Sequence, residues 1–148
     1  MIVATDMTFG MVNFSEVAPG IYRSGQPFSE SWHYLKTVGV KRVIKLNPDS
    51  EGDDSAALDF GMELCKCPIS TMQQVLTEPD VQNLYLAVQL IQPGTLVHCS
   101  HGQDRTGLII GLWRRQQGVS KDDAYAEMKQ HGFHWELFGL GKAWEDYA

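Results

Sequence analysis

The sequence of 148 residues lacks the features that mark several large classes of protein. It contains no run of about 18 apolar residues, so it does not predict a transmembrane helix. It has no excess of basic residues, since 12 Lys and Arg stand against 18 Asp and Glu, a net charge of −6. This balance argues against a protein that coats nucleic acid or an anionic membrane through bulk charge. A small cationic pocket for an anionic substrate is still compatible with it.

Cysteine is also scarce. Cys65, Cys67 and Cys99 form an odd, sparse set, which does not suggest a disulfide scaffold in a chain that is 43% hydrophobic. The N-terminus lacks a basic start and is interrupted by Asp6, so it matches a signal peptide poorly. We therefore expect a reducing, cytoplasmic setting. Because repeats, low-complexity tracts and Pro/Gly/Ser linkers are absent, the sequence predicts a single domain over residues 1–148.

What the sequence does contain is an alternation of short strand-like runs and longer segments with helical spacing. Strands are predicted at 12–17, 21–24, 41–46, 63–69 and 95–98. Helices are predicted at 29–38 (capped by Ser29), from Asp53 or Ser55 to near Gly61, and at 77–91, 106–117, 120–128 and 135–147. Residues 1–10 and 70–77 are predicted as loops. The alternation indicates an α/β fold with a mainly parallel central sheet flanked by helices.

In such sheets, ligands bind beyond the C-terminal ends of the strands. The most apolar strand, 95–98, is followed by the segment HCSHGQDRTG, in which Cys99 stands at the strand end and Arg105 at the start of a helix. A short loop at a helix N-terminus presents several backbone N–H groups to an anion, and the helix dipole adds to their effect. This geometry predicts a phosphate site, and the same field favours the thiolate form of Cys99.

Each residue of the segment has an expected role in this site. Cys99 is the candidate nucleophile, and Arg105 can hold two phosphate oxygens with its planar fork. The phosphate-binding loop comprises Ser100, His101, Gly102, Gln103, Asp104 and Arg105. Gly102 permits a tight turn, Thr106 places a hydroxyl near the sulfur, and His98 is interpreted as a buried residue that orients the loop.

The segment resembles the signature loop of the protein-tyrosine-phosphatase superfamily: His-Cys, five residues, Arg, then Ser or Thr. Residues 21–27, IYRSGQP, resemble the "YRSxQP" stretch of small atypical dual-specificity phosphatases from bacteria, fungi and plants, and VIKLN at 43–47 falls where that family has a "VINLR"-like strand. The resemblance covers most of residues 12–131. It implies a cysteine-dependent phosphatase that works through a phosphocysteine intermediate, without a metal or other cofactor.

The general acid departs from the commoner pattern. Larger relatives carry an Asp on a mobile loop before the signature unit, but residues 69–77 contain no acidic residue here. Asp104 lies inside the loop, where some lipid-directed and bacterial members of the superfamily carry an Asp. Asp104 is therefore the predicted acid. The next candidates are Asp49, Asp53, Asp54, Glu78 and Asp80.

The substrate and several alternatives stay open at this point. The expected substrates are phosphotyrosine or phosphoserine/threonine proteins, and the alternative is an inositol polyphosphate, which phytase-like members of the superfamily cleave. An inositol polyphosphate would need extra cations, for which the candidates by position are Arg23, Lys45, His101, His134 and Lys142. Gln103 stands where lipid-directed members have a lysine, which weakens a phosphoinositide substrate.

Three other hypotheses are less favoured. They are a non-catalytic phosphate-binding module, a rhodanese-like sulfur transferase, and a zinc site formed by Cys65, Cys67, Cys99 and His101. A role of Cys65 or Cys67 as a resolving thiol has weak support, and core packing is favoured for at least one of them. The aromatic residues at the C-terminus, expected to close the core, are Phe133, Trp135, Phe138, Trp144 and Tyr147.

Overall fold

A computed structural model describes residues 7–71 and 74–148 of the chain. The strands are β1 (Ser15–Ala18), β2 (Ile21–Ser24), β3 (Arg42–Lys45), β4 (Glu63–Lys66) and β5 (Thr95–His98). The helices are α1 (Ser31–Thr37), α2 (Ala56–Asp59), α3 (Glu78–Leu90), α4 (Arg105–Gln116), α5 (Lys121–Gln130) and α6 (Phe138–Tyr147), with a 3-10 turn at Asp49–Glu51. The loops predicted at 1–10 and 70–77 fall outside the described residues at positions 1–6 and 72–73.

The five strands form one sheet in the order β1-β2-β5-β3-β4. Strands β2, β5, β3 and β4 run parallel, and β1 joins the edge antiparallel to β2. This confirms the predicted α/β fold with a mainly parallel sheet. In the centre, Val97 of β5 is in register with Arg23 of β2 on one side and with Ile44 of β3 on the other. The C-terminal ends of β2, β5 and β3 therefore meet at one edge, where the loops after them converge.

The hydrophobic core has two parts because successive strand residues point to opposite faces of the sheet. On one face Val97 belongs to the cluster that includes Leu108 of α4, and on the other Leu96 belongs to the cluster that includes Trp32 of α1. Helix α4 is buried from Arg105 to Trp113, so its first turn, which carries the site, is held inside the molecule.

Two helix starts agree with the sequence and one does not. Thr77 and Asp80 form the capping box that begins α3, and the Ser120 hydroxyl accepts a hydrogen bond from the backbone of α5. The prediction that Ser29 caps α1 was wrong. Helix α1 begins at Ser31, whose hydroxyl accepts from the N–H of Phe28 and donates to a carbonyl outside the helix.

Some predicted bounds were too long for local backbone reasons. The first strand begins at Ser15 and not at residue 12, because Asn13 has a φ of +55°, which interrupts an extended chain. Strand β4 ends at Lys66, just before Pro68, which has no N–H to donate to a neighbouring strand. Among the described residues, no helix has the length and apolar character needed to span a membrane.

Candidate active site

Residues 99–105, called the signature loop below, connect the central strand to the most deeply buried helix. Cys99 directly follows β5 and is 2% exposed, so its thiol lies at the floor of the loop. Arg105 is the first residue of α4 and is 6% exposed. The loop thus places the cysteine and the arginine of the predicted phosphate site at the two ends of one turn.

Hydrogen bonds from outside hold the carbonyl groups of the loop away from its centre. The Ser100 carbonyl accepts from the Gln26 N–H (2.9 Å), and the His101 carbonyl accepts from the Asn13 side-chain amide (2.7 Å). The Gly102 carbonyl accepts from Nη2 of a buried arginine, Arg23, at 3.0 Å. Because the C=O and N–H of a peptide group point in opposite directions, the N–H groups of His101, Gly102 and Gln103 turn inward, an arrangement that can bind an anion.

Gly102 is the point where the loop packs against the end of β2. Its φ is +75°, in the left-handed region, and a Cβ at this position would lie 2.6 Å from the Ser24 carbonyl carbon and from the Gly25 nitrogen. These two atoms are backbone, so no side chain can move to make room. Glycine is therefore required both for the turn and for the close approach.

Arg105 faces the carboxylate of Glu51, which lies in the 3-10 turn after β3. Its Nη2 lies 2.8 Å from Oε1 of Glu51, and its Nη1 lies 3.5 Å from Oε2. The buried Nε has no hydrogen-bond partner among the described residues. One edge of the guanidinium is thus held by Glu51, and its Nε is left to donate to a bound anion.

His98 links the loop to a buried polar network. Its Nε2 lies 2.5 Å from Oδ2 of Asp54, and its Nδ1 lies 3.3 Å from the Cys99 carbonyl oxygen. Asp54 also accepts from the Gln26 side-chain amide, whose oxygen in turn accepts from Asn47. All four side chains of this network are buried, so it ties the loops after β2, β3 and β5 together.

The carboxylate of Asp104 is anchored to the turn between α5 and α6. Its Oδ1 accepts from the backbone N–H of His134 at 2.6 Å and lies 3.0 Å from the His134 Nδ1. The side chain of Asp104 remains partly exposed at the rim of the loop. Gln103, its neighbour, lies against Gly132, and the hydroxyl of Thr106 is buried without a hydrogen-bond partner among the described residues.

Several of the other candidate acids are bound elsewhere in the structure. Asp80 accepts from the N–H groups of Ser70 and Thr77. Asp49 bonds to Lys66, and Asp53 accepts from the backbone N–H two residues after it. Each of these contacts is typical of a turn, a helix start or a surface pair.

The candidate cations are not gathered at the mouth of the loop. Arg23 is 1% exposed and lies behind the loop, and Lys45 is buried, with its Nζ donating to the carbonyls of Asn47 and Pro48. Lys142 pairs with an aspartate of its own helix at 3.0 Å. His134 contacts Asp104, which leaves His101 as the one exposed candidate without an ion pair in the described part of the chain.

The remaining cysteines do not assemble a metal site. Within residues 7–71 and 74–148, no group of three or more His, Cys, Asp or Glu side chains is placed to hold a metal ion, so the four residues considered for zinc are not brought together. Cys67 packs in the core, as predicted. Burial raises the pKa of the Cys65 thiol to about 11 and also raises the pKa of the Cys67 thiol.

The expectation that the C-terminal aromatic residues close the core was correct only for some of them. Phe133 and Trp144 are buried, but Trp135 and Phe138 are both 59% exposed and Tyr147 is also exposed. The first four of these residues line a cleft of about 520 Å³, which also includes Gln74. This cleft, called the aromatic cleft below, is lined by Phe133 and Trp135, the two chain neighbours of His134, whose N–H bonds to Asp104.

Sequence reasoning missed the partners of the loop more than the loop itself. The sequence does not predict Asn13 or Glu51 as partners of the loop, and it indicates Arg23 only as a cation for an inositol polyphosphate and Asp54 only as a candidate acid. The available signal was weak: the acidic residues 49–54 follow the end of β3, and such a position can reach the site edge of a parallel sheet. Two of them, Glu51 and Asp54, do so.

Comparison with known proteins shows the family of the chain. Residues 8–134 match the model of the family described as "Tyrosine phosphatase family". The inositol diphosphatase DSP3 of Arabidopsis thaliana is 30% identical over 133 residues, which cover 83% of this chain and 64% of that protein. The chain spans between 55% and 64% of the length of this and two similar plant relatives.

Two solved structures show the same fold. The core catalytic domain of the PP-IP phosphatase SIW14 from S. cerevisiae superposes with a TM-score of 0.73 at 27% identity, covering 92% of this chain and 85% of that one. TpbA of P. aeruginosa in complex with pTyr superposes with a TM-score of 0.70 at 26% identity, covering 88% and 81%.

Proposed function

Because the chain belongs to the tyrosine phosphatase family, we propose that it is a cysteine-dependent phosphatase that hydrolyses phosphate monoesters through a phosphocysteine intermediate. The observation that carries this proposal is the outward orientation of three consecutive loop carbonyls, those of Ser100, His101 and Gly102. The N–H groups that follow these carbonyls, those of His101, Gly102 and Gln103, then point to the opposite side of the loop, as the binding of a phosphate next to Cys99 requires.

In the first step, the thiolate sulfur of Cys99 attacks phosphorus while Arg105 and the loop N–H groups hold the non-bridging oxygens. An S–P bond forms and the bond from phosphorus to the ester oxygen breaks. Asp104 transfers its proton to that leaving oxygen, so an alcohol departs and the carboxylate is left ionised.

In the second step, water attacks the phosphorus of the phosphocysteine. Asp104, now ionised, takes one proton from the water, the P–O bond forms and the P–S bond breaks. Inorganic phosphate and the thiolate of Cys99 are released, and Asp104 is again protonated. His134, whose N–H and ring nitrogen contact Asp104, holds that carboxylate at the rim in both steps.

The test is turnover of an activated aryl phosphate by the wild-type chain and by Cys99→Ser. We expect turnover that is insensitive to a chelator and lost in Cys99→Ser, since a serine hydroxyl is not ionised near neutral pH. Phosphate binding should persist in the variant. Cys65→Ser is the matched control and should keep full activity, because Cys65 lies on β4 outside the signature loop. Turnover of more than a few per cent in Cys99→Ser would contradict the assignment.

For the substrate, we propose a phosphorylated protein side chain, phosphotyrosine in particular. A highly anionic inositol polyphosphate needs several free cations at the mouth, whereas here the candidate cations are mostly buried or paired with carboxylates. Glu51 is a further carboxylate at the site, paired with Arg105. The aromatic cleft beside the loop suits an apolar or aromatic neighbour of a phosphorylated residue better than a sugar-like ring bearing phosphates.

A substrate panel decides between the two classes. We expect kcat/KM for a phosphotyrosine peptide to exceed that for inositol hexakisphosphate and for an inositol pyrophosphate by at least about tenfold between pH 5 and 8. Trp135→Ala should lower kcat/KM for the peptide more than for a small aryl phosphate. The opposite preference would assign the protein to the inositol phosphatases, the activity for which the plant relative is named.

A further inference from the structure

Arg23 is a buried cation without a carboxylate partner. It lies in β2 and is 1% exposed, and of its three guanidinium nitrogens only Nη2 has a hydrogen-bond partner, the Gly102 carbonyl. Nε and Nη1 are buried and have no partner among the described residues. A buried charge in this state is costly unless an opposite charge lies nearby.

The charged and titratable groups that face Arg23 come from every element packed around it. Glu127 of α5 is a carboxylate that attracts Arg23, but it is paired with Arg114 of α4 at 3.3 Å. His131, which follows α5, is repelled by Arg23 when protonated. Burial, and after it the charge of Arg23, lowers the pKa of His131. Arg114 itself repels Arg23, and the other group that attracts Arg23 is Cys99.

The electrostatic effect of Cys99 on Arg23 is attractive. Burial lowers the pKa of Arg23 to about 10, and the charge of Cys99 acts in the opposite direction. Arg23 is therefore still positively charged near neutral pH. The anion that would compensate the charge of Arg23 is the thiolate of Cys99, which the proposed phosphatase reaction also requires.

We infer that Arg23 is a positioning residue that stabilises the thiolate of Cys99 from behind the signature loop and keeps the Gly102 carbonyl turned outward. The biological role of this effect rests on the proposed phosphatase function. The effect itself does not, since the ionisation of the Cys99 thiol can be measured without any substrate. Arg23 touches neither the substrate nor the reacting atoms. Its charge acts through space, and its hydrogen bond acts through the loop.

The experiment measures the rate of iodoacetamide alkylation of Cys99 against pH, followed by the mass of the modified peptide. In Arg23→Gln, the midpoint of this pH profile should move upward by about one pH unit, the size expected when a nearby opposite charge is removed. In Arg23→Lys, which keeps the charge but loses the fork, the midpoint should stay near that of the wild type. Arg42→Gln is the matched control and should leave the midpoint unchanged, because Arg42 lies at the start of β3, which β5 separates from β2, and bonds to Glu63.

A midpoint that is unchanged in folded Arg23→Gln would overturn the inference. If Arg23→Gln does not fold, Arg23→Lys decides, because a full upward shift in that variant would assign the effect to loop shape and not to charge. A second readout separates this inference from the proposed function. Absence of phosphatase turnover in the wild type would refute the function, while the shift in alkylation would still test Arg23.

Discussion

Replacing Gly102 by alanine tests whether the signature loop is held in shape by its contact with β2. The added methyl group would meet Ser24 and Gly25 at 2.6 Å, and both atoms it meets belong to the backbone. The left-handed φ of +75° adds backbone strain for alanine, which has a Cβ, but not for the achiral glycine. The variant therefore combines a steric clash with backbone strain. A substitution at a second glycine, which has the strain without the clash, separates the two costs.

Gly118 is that second glycine. It lies in the turn between α4 and α5 with a φ of +92°, and a Cβ there would have no atom within 4 Å. Gly118→Ala therefore measures the backbone strain alone, about 1–2 kcal/mol. Gly102→Ala should lose a further 1–3 kcal/mol, roughly the cost of overpacking a well-packed site.

The consequence for activity is larger than that for stability. The contact at Gly102 is shorter by about 0.8 Å than the 3.4 Å at which ordinary van der Waals contact begins, so the loop must shift by a comparable distance. A misplacement of about 1 Å in a catalytic constellation can lower the rate on the order of a hundredfold. We expect that loss in kcat for Gly102→Ala and wild-type kcat for Gly118→Ala.

Both variants are compared by urea unfolding and by kcat for an activated aryl phosphate. Gly102→Ala should have the lower denaturation midpoint and the lower kcat. If it kept a kcat within about twofold of Gly118→Ala, the signature loop would tolerate displacement, and the argument that β2 fixes the inward N–H groups would be refuted.

Three further predictions concern the reacting groups. Arg105→Lys should raise KM and lower kcat despite the retained charge, because the planar fork is lost; unchanged kinetics would make Arg105 purely structural. Asp104→Asn should lower kcat for an alkyl phosphate by about a hundredfold or more and for an aryl phosphate with an acidic phenol by much less; equal losses across graded leaving groups would place the acid elsewhere, with Glu51 first to test. The pKa of the Cys65 thiol is about 11 and that of the Cys67 thiol is also raised, so limited iodoacetamide at pH 7 should modify Cys99 before either; earlier labelling of Cys65, seen by peptide mass, would contradict the burial argument.

The sequence by itself was sufficient for the features that depend on neighbours along the chain. The strand 95–98, the loop from Cys99 to Arg105 and the helix after it form one continuous segment, so their order and spacing specify both the turn and its chemistry. The caps at Thr77 and Ser120 were predictable for the same reason, because a cap contacts the backbone only three residues away. The parallel sheet followed from the alternation of strand and helix patterns.

Only the tertiary structure decided which distant groups surround that loop. Asn13, Arg23, Glu51 and Asp54 lie between 44 and 88 positions from the residues of the signature loop and of β5 that they contact. The tertiary structure also decided that Asp104 is anchored to His134 and that Trp135 is exposed. Local patterns of polarity specify which face of an element is buried but not the distance between side chains on different elements. Those distances are set when the parallel strands pair in a particular order, and here that order brings the ends of β2, β3 and β5 to one edge.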